Sequence, residues 1–169
     1  MSINVNEPVT PIRELRPGQR NVNVTCIVLS SKQDAAINKE NQPLYQIWVS
    51  DYSGSVILSL WGSVYKDLVA GDMLRLLSVT PTFRLNRMVI MLGNVGKLVR
   101  YGQDMLLFSI QPNMSHVKFE EEKDGREVFW EPVGEIPYSE WSSYPGTSII
   151  DAQIVPWAYN RNPSKKVKY

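Results

Sequence analysis

Period-two alternation of apolar and polar positions dominates residues 21–92 and predicts strands. In 21–29, Val22, Val24, Cys26 and Val28 share one face, and Asn23, Thr25, Ile27 and Leu29 the other. In 44–51, Tyr45, Ile47 and Val49 oppose Gln46, Trp48 and Ser50. Asp51-Tyr52-Ser53-Gly54 then carries turn chemistry and leads into a third strand. There Val56, Leu58 and Leu60 point to a core, and Ile57, Ser59 and Trp61 point away from it. Residues 63–69 predict a short helix ended by Ala70-Gly71, followed by a fourth strand at 72–82 and a fifth at 87–92. The polar stretch 30–43 reads as a loop, 12–18 as a short turn or partial helix closed by Pro-Gly, and 97–110 as a further extended or helical piece.

Three strands, a short helix and two more strands is the element order of a five-stranded OB-fold barrel, an all-β class. Another small barrel or sandwich is the competing architecture. The expected layout is a flexible leader at 1–10, the OB-fold domain at 11–118 and an irregular extension at 119–169. That extension carries an acidic run from Glu120 to Glu140, five prolines, and the aromatics Phe129, Trp130, Tyr138, Trp141, Tyr144, Trp157 and Tyr159. Acid interspersed with aromatics suits a segment that docks on a protein partner.

An indole on the wet face of a strand needs a cover, and an unpaired base supplies a flat one. Trp48 and Trp61 fall on the outward face of neighbouring strands, so both are candidate stacking platforms. Phe83, in the link between the last two strands, would close the far side. Arg84, Arg87, Lys32, Lys39 and Lys66 are the candidate phosphate contacts, because the first-to-second and fourth-to-fifth loops border the ligand groove of this fold. Each has a plainer reading: Trp48 packed beneath the C-terminal tail with its tryptophans, Phe83 a loop anchor, the arginines solvated edge charges.

Composition narrows the chemistry. The net charge of +1 hides a segregation, with twelve Lys/Arg against seven Asp/Glu in 11–118 and six against nine in 119–169. One cysteine, Cys26, reads as a buried small apolar residue, and one histidine, His116, as a solvated linker residue. Neither a phosphate-binding Gly-rich loop, a metal-ligand spacing nor a nucleophile–His pair is present, so no enzyme activity, metal or cofactor is expected. Residues 1–6 lack a signal-peptide pattern and no apolar run approaches the roughly 20 residues of a membrane span, so an intracellular protein is expected.

A set of local matches adds to this reading. Leu15-Arg16-Pro17-Gly18-Gln19-Arg20-Asn21-Val22-Asn23-Val24, Val49-Ser50-Asp51-Tyr52-Ser53-Gly54-Ser55-Val56, Ser59-Leu60-Trp61, Gly71-Asp72-Met73-Leu74-Arg75-Leu76 and Pro112-Asn113-Met114-Ser115 follow in order at family-like spacing. Together they resemble the family of single-stranded-DNA-binding OB-fold subunits of the SOSS complex over residues 12–115. The resemblance implies a nuclear protein of the DNA-damage response and DNA repair, assembled on a large helical scaffold shared with Integrator, with bases stacked on barrel aromatics. Trp61 matches a family platform position. Thr80 and Met91 stand where tyrosines are expected, and Phe83 neighbours a further platform position. Two functions follow: a single-stranded DNA or RNA binder, or a protein-interaction module that docks on a scaffold through its aromatic face and extension.

Overall fold

The computed structural model describes residues 7–103 and 107–136. Five strands form the barrel: β1 (Val22–Ile37), β2 (Pro43–Ser50), β3 (Ser55–Trp61), β4 (Asp72–Arg84) and β5 (Arg87–Gln103), in the order β1-β2-β3-β5-β4 with β4 returning to β1. A 3-10 helix, Ser63–Asp67, lies between β3 and β4 as expected. All pairings are antiparallel except β3–β5, whose parallel seam holds only two residue pairs, Leu58↔Ile90 and Ser59↔Met91. This is the OB-fold topology, closed along one seam by little backbone pairing.

The inward parity fills the barrel. Val22, Val24, Cys26, Val28, Tyr45, Ile47, Val49, Val56, Leu58 and Leu60 are all buried in one cluster, joined by Leu74, Leu76, Met88 and Ile90. Each fully buried aliphatic side chain of this kind contributes about 1.5–3 kcal/mol. Ile12 and Leu15 are fully buried in the same cluster, and the Ile12 amide donates to Asp51 Oδ2 at 2.9 Å. Asp51 Oδ1 also accepts from the amide and hydroxyl of Ser53, at 2.7 and 2.6 Å, which shapes the β2–β3 turn.

Two strands run further than the sequence suggests. β1 continues through Ile37, across the stretch read as a loop, because both of its faces there are polar and hide the alternation. β5 continues past Gly93 and Gly96 to Gln103. In its ladder with β4, Val79 pairs with Leu92 and Leu77 with Lys97, so residues 93–96 bulge out. A Cβ on Gly96 would lie 3.0 Å from the Gly93 amide nitrogen, so a side chain here would crowd the bend.

The start of the extension is regular rather than irregular. β6 (Val117–Asp124) and β7 (Glu127–Glu135) form a hairpin. Phe119 is buried in the barrel core and Trp130 packs on it, while Arg16 lies 5.8 Å over the Phe119 ring. His116, expected to be solvated, is buried; its carbonyl accepts from the Ile136 amide at 2.7 Å. The aromatics Tyr138, Trp141, Tyr144, Trp157 and Tyr159 lie outside the described residues.

Candidate nucleic-acid interface

The strand registers turn the outward face of the barrel into rows. Ser30, Trp48 and Ile57 stand level across β1, β2 and β3, and the pair Val89–Thr82 continues that row onto β5 and β4. Two residues along, Lys32, Gln46, Ser59, Met91 and Thr80 form a second row. Trp61, opposite Leu44, lies beyond it toward the β1–β2 loop.

The centre of the first row is sealed. Trp48 is only 2% exposed and packs with Ile57 and Val89, against Leu29, Met91 and Ile110. Its cover is the strap of residues 109–116. Ser50 Oγ donates to the Ser109 carbonyl at 2.6 Å and Ser55 Oγ to the Ile110 carbonyl at 2.7 Å. Ser55 and Asn113 then pair in parallel, and the Ile57 amide donates to Ser115 Oγ at 2.8 Å. The strap thus supplies partners to the β3 backbone where β5 does not. The fit is tight: a Cβ on Gly54 would lie 2.6 Å from the Pro112 carbonyl oxygen.

Trp48 is therefore not a stacking platform, a correction to the sequence reading. It faces outward as parity requires, but a segment far downstream in the chain covers it. Arg87 is corrected for the same reason. It is 1% exposed, and its Nε donates to the Ser115 carbonyl at 3.4 Å. Phe83 also moves. It pairs with Met88, whose side chain fills the core, so it belongs to the inward parity. It lies at the barrel end, 40% exposed, with its ring centroid 4.9 Å from that of Trp130 in an edge-to-face contact at 64°. Phe83 anchors the β6–β7 hairpin instead of closing the far side of the wall.

The second row and its border stay partly open. Trp61, Lys32, Met91 and Thr80 are partly exposed, and Lys39 in the β1–β2 loop and Lys66 in the 3-10 helix are exposed. The helix sits beside that loop: the Gly62 amide donates to the Pro43 carbonyl at 2.9 Å. Arg84 ends β4 at a two-residue turn, where Leu85 and Asn86 take φ of 52° and 65°, the left-handed pair such hairpins need. Trp61, Lys32, Lys39, Lys66 and Arg84 thus keep exposed or partly exposed side chains, and Arg84 reaches the β1 arm through Asp34, whereas Trp48 and Arg87 are buried and Phe83 packs on Trp130.

Between them lies a polar chain that strand parity only half reveals. Ser59 Oγ donates to Gln46 Oε1 at 2.6 Å, Gln46 Nε2 donates to Asp34 Oδ2 at 3.4 Å, and Arg84 Nη1 stands 3.8 Å from the same oxygen. Gln46 and Ser59 are buried, although they point away from the barrel. Parity places both on the wall; nothing local marks Asp34 as their partner.

Burial, and secondarily the Asp51 carboxylate, pushes the Cys26 thiol far above its ordinary range, so it is an inert core residue. Among the described residues no group of three or more His, Cys, Asp or Glu side chains is placed to hold a metal ion, and no helix is long and apolar enough to cross a membrane.

No known family pattern matches the chain. Among solved structures it is similar to a hypothetical protein of Arabidopsis thaliana, with 12% identity, 74% of this chain and 94% of that chain covered, and a TM-score of 0.57. It also matches the OB domain of a Thermoplasma acidophilum protein, with 13% identity, 57% and 90% covered and a TM-score of 0.49. A replication factor A related protein of Methanobacterium thermoautotrophicum matches at 17% identity, 59% and 96% covered and a TM-score of 0.47. Strand order, barrel core and placement of the short helix together make this chain an all-β protein of the OB-fold type.

Proposed function

We propose that this protein binds single-stranded nucleic acid on the part of its outward wall that the strap leaves open. The observation that carries the reading is Trp61: a partly exposed indole on the β2–β3 wall, beside the loop of Lys39 and the short helix of Lys66, where an OB-fold presents its ligand face. One stacked base contributes about 1–3 kcal/mol, so one platform and a few cations support moderate affinity without sequence preference. Lys32, Lys39, Lys66 and Arg84 are the assigned phosphate contacts. The resemblance to the DNA-binding subunits of the SOSS complex supports, as a finer proposal, a nuclear role in DNA-damage response on a large helical scaffold.

Fluorescence-anisotropy titration of labelled dT and rU oligonucleotides onto the full chain tests the reading. Saturable binding is expected, with log K falling by about 0.7 per log unit of salt for each phosphate contacted. Absence of binding at low salt would remove this function. It would leave the protein-interaction module, which the exposed Val128, Phe129 and Val133 of the β6–β7 hairpin favour.

A further inference from the structure

The two arms that border the groove are tied together. After the irregularity between Val28 and Ser30, β1 leaves β4 and pairs with β2 alone. Beyond Val79, which still pairs with Val22 after the irregularity at Ser78 (φ 56°), the end of β4 pairs with β5 alone. These free-running ends carry Asp34 and Arg84, which meet in an ion pair at 3.8 Å. The Asp34 side chain is 3% exposed and that of Arg84 22%. Beneath them Gln46 and Ser59 are withdrawn from water, though they belong to the wall.

One oxygen carries this junction. Asp34 Oδ2 faces the Arg84 guanidinium and accepts from the Gln46 amide, while Oδ1 accepts from the Ala36 amide at 3.2 Å. An anionic oxygen shared by a guanidinium and an amide has the surroundings that a phosphodiester oxygen would take in the same groove. The Arg84 contact lies within ion-pair distance but beyond hydrogen-bonding distance, so a better-placed anion can displace it.

We propose that Asp34 is an internal competitor for nucleic-acid phosphate: it occupies Arg84 across the groove and holds the Gln46–Ser59 floor covered until a strand takes its place. This rests on the nucleic-acid reading above and adds a regulatory element to that site. A bound phosphodiester replaces the Asp34 carboxylate on Arg84, the arms part, and the Gln46 amide becomes available to a base edge. Binding is weakened in the resting protein because each encounter must first break a contact already made.

Anisotropy titration with one labelled dT oligonucleotide, across wild type, Asp34→Asn, Arg84→Ala and the double variant, tests this. Asparagine keeps the shape and the Ala36 contact but removes the charge. Asp34→Asn is expected to tighten binding about threefold to tenfold, the scale of releasing one partly buried ion pair. In the Arg84→Ala background the same change is expected to give no gain. Equal gains in both backgrounds would mean general relief of negative charge and would overturn the proposal, as would no gain while the wild type binds. If no protein binds, the nucleic-acid reading fails and this proposal falls with it, a distinct result. Asp34→Ser, which also preserves an acceptor for Ala36, replaces the amide variant if that one does not melt cooperatively.

Discussion

Trp48 and Trp61 stand on the same face of the same hairpin, four residue positions apart on the β2–β3 ladder, and meet opposite fates. Trp48 faces its cross-strand partner Ile57 near the turn, where the strap crosses. Trp61 faces Leu44 at the open end, where the neighbours are the β1–β2 loop with Lys39 and the short helix with Lys66. Strand parity decides which way a side chain points; it does not decide what lies above it. Here the cover comes from residues 109–116, so one indole becomes a second core and the other remains surface.

The largest expected effect breaks the sealed half. Trp48→Ala removes a buried indole and leaves a cavity, so the full chain should lose about 3–5 kcal/mol in urea unfolding. A loss below about 1 kcal/mol would place Trp48 at the surface. Gly54→Ala comes next. Its methyl meets the Pro112 carbonyl, and about 2 kcal/mol of overpacking is expected in the same measurement, with the strap displaced. Unchanged protection of 109–116 in hydrogen exchange of this variant would show the contact to be unimportant.

The open half should respond the other way round. Trp61→Ala should change stability by less than about 1 kcal/mol while weakening dT binding by roughly 1–3 kcal/mol, about five- to 150-fold. Equal losses in stability and binding would make Trp61 another core residue. The smallest effect concerns the barrel interior. The folded protein holds the Cys26 thiol protonated, whereas the unfolded chain ionises it near the ordinary value of 9.0. The stability from this group is therefore complete below pH 9 and drains away as pH rises, at up to about 1.4 kcal/mol per unit. Urea midpoints at pH 8 and pH 10 should fall less for Cys26→Ala than for the wild type. Equal falls would indicate that the thiol is accessible.

The barrel was legible because its inward residues repeat with period two and its turns carry Asp, Ser and Gly. The ends of β1 and β5 were not. At Lys32 and Asp34 both faces are polar, and at 93–96 glycines imitate a strand end while shaping a bend. The site was legible only in part, for a related reason. Trp61, Lys32 and Arg84 follow from local pattern, but the burial of Trp48 and Arg87 depends on contacts with distant Ile110 and Ser115. The blocks at 49–56 and 112–115 sit apart in the chain and meet in space, Gly54 against Pro112.

The most direct measurement of the central claim is an oligo-dT titration of the full chain followed through the indole N–H resonances in a 15N correlation spectrum, assigned with single Trp→Phe variants. The Trp61 resonance is expected to shift along a saturable curve while that of Trp48 stays in place. A shift at Trp48 with Trp61 unmoved, or no shift at either, would contradict it.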